Sequence, residues 1–61
     1  MHTYSEASEL ALMSARNARS ASTEKVAREL WKMAQEYQAE AAKLGNGRVL
    51  DLGSPPDSLK D

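Results

Sequence analysis

TEKVARELWKMAQEYQAEAAKLGNG, residues 23–47, is the stretch on which the fold turns. From Thr23 to Leu44 it holds good helix formers and neither Gly nor Pro, so it reads as one long helix. Glu24 lies in its first turn and Lys43 in its last, the placement that the helix dipole favours. Gly45-Asn46-Gly47 then supplies left-handed backbone and stops it. At about 100° per residue, Ala27, Leu30, Ala34, Tyr37, Ala41 and Leu44 alternate spacings of three and four, which makes a seam for a second helix. Glu24 with Arg28, Lys25 with Glu29, and Lys32 with Glu36 stand four apart on the solvated side, each pair contributing about 0.2–0.5 kcal/mol.

The partner helix lies upstream. Thr3-Tyr4-Ser5-Glu6 has the form of a capping box. Glu6 and Glu9 follow near the positive end of the helix it opens, and Arg16 and Arg19 sit near the negative end. Tyr4, Ala7, Ala11, Ser14 and Ala18 repeat the same alternation with small side chains. The hydroxyl-rich Ser20-Ala21-Ser22-Thr23 is too short for anything but an antiparallel turn, and Ser22 or Thr23 caps the second helix. The chain is therefore expected to be all-α: an antiparallel two-helix hairpin, helices at about Thr3–Ser20 and Ser22–Leu44, with the seams crossing at about 20°. The hairpin core is expected at Tyr4, Ala7, Ala11, Ala18, Ala27, Leu30, Ala34, Tyr37, Ala41 and Leu44.

Residues 1–46 make up this hairpin and 47–61 a flexible C-terminal tail. Gly53-Ser54-Pro55-Pro56-Asp57 cannot continue a helix. The apolar patch Val49-Leu50-Asp51-Leu52 either folds back on the hairpin or serves as a linear motif for a partner.

A chain of 61 residues buries a thin core, and its usual supplements are missing. It has no Cys, so no disulfide, and its one His, His2, cannot build a four-ligand zinc site. Association is the remaining supplement. Val26 and Met33 widen the apolar face on one side of the second helix and Trp31 on the other, while Leu10 stands at the margin of the first. These four are the expected oligomer interface, and the expected assembly is a homodimer closing into a four-helix bundle, with an unidentified protein as a further partner.

Other classes lack material. Eight Lys and Arg against nine Asp and Glu leave the net charge near zero, which gives no bulk attraction to phosphate or anionic lipid. There is no phosphate loop, nucleophile triad or Glu-x-x-His pair, so neither enzyme activity, a cofactor, a metal nor a small-molecule substrate is expected. Glu29, Glu36 and Glu40 alone do not make a carboxylate metal site. No apolar run spans a membrane, and the opening residues lack a signal peptide's basic and apolar regions, so a cytoplasmic location is expected. The alternative reading is a small regulator touching nucleic acid through Arg16, Arg19, Lys25, Arg28 and Lys32 at the bend. Interleaved Glu24 and Glu29 and the lack of aromatics there weigh against it.

Tyr4, Ala7, Leu10-Ala11, the hydroxyl-rich turn, and then Val26, Leu30, Met33-Ala34, Glu36-Tyr37 and Ala41 resemble short uncharacterised bacterial helical-hairpin proteins. The resemblance covers about two-thirds of the chain and departs at the bend, where an Asp-Pro is often found in those proteins. It implies a bacterial source and a hairpin, and it carries over no functional residue.

Overall fold

The computed structural model describes residues 3–59. They form α1, Tyr4–Arg19, then α2, Glu24–Leu44, and a 3₁₀ turn at Asp57–Leu59. Both α-helices start on their caps. The Thr3 hydroxyl accepts from the Glu6 amide at 3.1 Å, and the Glu6 carboxylate accepts from the Thr3 amide at 3.2 Å, which completes the capping box. Of the two candidates for the second cap, Thr23 serves: its hydroxyl accepts from the Val26 amide at 3.2 Å, so α2 begins at Glu24.

The Gly45-Asn46-Gly47 stop supplies its left-handed backbone at its second and third residues. Gly45 has φ −101°, and the left-handed residues are Asn46 at φ 58° and Gly47 at φ 85°. The Gly47 amide donates to the Ala42 carbonyl at 2.7 Å, the six-to-one bond of a Schellman cap with Asn46 in the left-handed position. Gly45 is required for space instead, since a Cβ there would lie 2.6 Å from two carbons of the Tyr4 ring. The Arg48 guanidinium stands 5.4 Å from the centroid of the same ring, within cation–π range. Tyr4 thus fastens the start of α1 to the end of α2.

The seam between the helices is built of alanine. Ala7, Ala11 and Ala18 of α1 meet Ala27, Ala34 and Ala41 of α2, all buried, with Ser14 beside them. The larger residues assigned to this seam stand off it. Leu30, Tyr37 and Leu44 each follow a buried alanine by three residues, which turns them about 60° to one side. Leu30 and Tyr37 are consequently half-buried, as is Tyr4, and Leu44 is 43% exposed and not part of the core. Residues four after an alanine turn about 40° to the other side. Ala15, Trp31 and Gln38 are of this kind, and they meet the end of the chain.

That end is a strap, not a loose tail. Residues 48–59 return along the groove between the helices, and Leu52, 6% exposed, clusters with Ala11, Ala15 and Ala34, a cluster against which Trp31 and Leu50 pack from the strap side and Tyr37 from the other flank of α2. Three main-chain carbonyls are held by the hairpin. Gln38 Nε2 donates to Leu50 O at 2.6 Å, and Arg19 Nη1 donates to Leu52 O at 2.9 Å and to Ser54 O at 3.1 Å. Asp51 Oδ1 accepts from the Gly53 amide at 2.9 Å, turning the chain at Gly53 with φ 80°. Pro56 is buried, and the Leu59 amide closes the 3₁₀ turn on the Pro56 carbonyl. The division into a hairpin of 1–46 and a separate tail of 47–61 therefore gives way to one packed unit over the described residues. Of the two alternatives for the apolar patch, folding back is the one found, with Val49 left 76% exposed.

Candidate interaction surface

The alanine seam divides the hairpin into two faces with different contents. One holds Ala15, Trp31 and Gln38 and lies under the strap. The other lies open. Around α2 the positions of Val26, Met33 and Leu44 fall within about 20° of one another, and Leu30 and Tyr37 lie between them and the seam. Val26 is 44% exposed and Met33 42%, large fractions for side chains of this size inside a helix that packs on a neighbour. From α1, half-buried Leu10 and exposed Met13 stand at the same face.

Of the four residues expected at an interface, the structure brings Leu10, Val26 and Met33 together and removes Trp31. The indole side of α2 belongs to the strap face, where Leu50 and Leu52 already cover it. Leu44 and Leu30 join the open face from the predicted core, and Met13 joins from α1. The sequence carried the signal for them: the three-residue steps from Ala27, Ala34 and Ala41 all rotate toward Val26 and Met33.

Acidic residues edge this face along α2. Glu29 and Glu36 are exposed and Glu40 is half-buried, and all three lie within about 60° of Met33 around the helix. The ion pair formed among the described residues is Arg28 to Glu24 at 2.8 Å. The other two spacings of four, Lys25 with Glu29 and Lys32 with Glu36, are not closed to pairs there. Lys25, Lys32 and Lys43 sit further round α2, behind the carboxylates.

The basic bend is partly spent on structure. Arg19 holds the strap and Arg28 pairs with Glu24, which leaves Arg16, Lys25 and Lys32 on the exposed surface, and the nearest large aromatic, Trp31, packs under the strap. Among the described residues, no three His, Cys, Asp or Glu side chains are grouped to hold a metal; His2 lies outside them. Trp31, Gln35 and Gln38 form with the strap an open trough of about 390 Å³. No described helix is long and apolar enough to cross a membrane. One buried polar atom lacks a partner among the described residues, the Ser8 hydroxyl in α1.

No family model, curated protein or solved structure matches the chain.

Proposed function

We propose that this chain is a small non-catalytic interaction module that acts as a homodimer, two hairpins closing into a four-helix bundle with their open faces inward and their straps outward. The observation that carries the reading is the grouping of exposed Met13, Val26, Met33 and Leu44 with half-buried Leu10 on the face that the strap leaves open, with Leu12 and Val49 exposed on the strap side. Large apolar side chains gathered on one face favour association, whereas scattered ones do not. A second copy supplies an equal surface at no further cost in sequence, and two-fold pairing is the commonest symmetry.

Sedimentation equilibrium at micromolar concentration tests this. The native chain should show twice its 6.7 kDa mass. Met33→Lys should lower that mass, while Lys32→Ala, on the far side of α2, should leave it. A folded monomer unaffected by dilution defeats the homodimer.

A further inference from the structure

The strip of α2 next to the apolar stripe is acidic, with the lysines set behind it, and a second copy brings it no cation. Glu29, Glu36 and Glu40 border the apolar stripe of Val26, Met33 and Leu44, and none of the three carboxylates has a cation within ion-pair distance among the described residues. In a face-to-face dimer this rim of α2 meets either the same rim of the other copy or the rim of the other α1. The first brings carboxylate to carboxylate. The second brings Glu6, Asn17 and Met13, since the matching side of α1 carries no Lys or Arg. Either way round, the homodimer covers the apolar stripe and adds no cation to these three carboxylates, whose nearest ones are Lys25, Lys32 and Lys43 behind them on the same helix.

We propose that the open face is completed by a basic amphipathic helix of another protein, which displaces the second copy. Such a helix sets Leu- or Met-type side chains at three- and four-residue spacing into the stripe and places Lys or Arg beside them, opposite Glu29, Glu36 and Glu40. The same carboxylates repel anionic lipid and nucleic acid, which separates this face from those partners. The proposal rests on the open face being an interface and adds which partner it prefers.

The experiment uses the full chain and two synthetic helical peptides of about 18 residues, long enough to span Val26 to Leu44. One carries Leu on one face flanked by Lys, and the other has Glu in place of every Lys. Fluorescence anisotropy of the labelled peptides is read at about 50 and about 500 mM NaCl, and sedimentation gives the stoichiometry. The Lys peptide should bind one to one, break the dimer and weaken as salt rises, and the Glu peptide should bind far less. The triple variant Glu29→Gln, Glu36→Gln, Glu40→Gln, with helicity checked by circular dichroism, should weaken the Lys peptide about tenfold. Equal binding of the two peptides, or a triple variant that binds like the native chain, overturns the proposal. So does a dimer that neither peptide disturbs, which leaves the interaction-module reading standing with the second copy as occupant. A stable monomer that takes neither peptide overturns both.

Discussion

Gly45 is fixed by a neighbour and not by its backbone angle. With φ −101° it could be any amino acid, yet the Tyr4 ring occupies the place of its Cβ. Gly45→Ala should therefore destabilise the fold by about 1–3 kcal/mol, the range for overpacking. In a Tyr4→Ala background the same change should cost little, and a double-mutant cycle on denaturant midpoints would expose the coupling. Ser8 makes the opposite case. Its hydroxyl is buried in α1 without a partner, so Ser8→Ala removes an unsatisfied group and improves helix propensity. A gain of about 1 kcal/mol in urea unfolding is expected, and a loss would mean that the hydroxyl has a partner after all.

At the level of elements, the strap is the part whose role changed most between sequence and structure. Because Leu52 is nearly fully buried, Leu52→Ala should cost about 2 kcal/mol, the low end for a buried leucine since a strap can relax toward the gap. Removal of residues 48–61 should lower Tm by roughly 10 °C, and amide exchange at 50–54 should quicken in Arg19→Met. An unchanged Tm on truncation would return the segment to the status of a loose tail. The helices were legible because their determinants are local: Thr3 with Glu6, Thr23 with Val26, and the Gly-Asn-Gly stop lie within a few residues of what they control. The strap was not, because its anchors are distant in the chain. Arg19 grips a carbonyl at position 52, and Leu52 fits between Ala11, Ala15 and Ala34, contacts that no periodicity announces. Ala15 was missed for the same reason, since its burial comes from the strap side of the seam.

For the whole molecule, the two faces of the hairpin explain why so short a chain can fold on an alanine seam. The strap adds one leucine-filled layer, and the open face is the one proposed to take another. The sequence placed Val26 and Met33 on one flank of α2 and Trp31 on the other without showing which flank the chain would cover itself. Only the position of Leu52 decides that, and with it the composition of the open face. The most direct test is an isotope-filtered NOE experiment on a mixture of labelled and unlabelled chains. Contacts between copies should involve the methyls of Leu10, Val26, Met33 and Leu44 and none of Leu50 or Leu52. Intermolecular contacts from the strap leucines, or none at all at millimolar concentration, would contradict the assignment of the open face as the surface through which this protein associates.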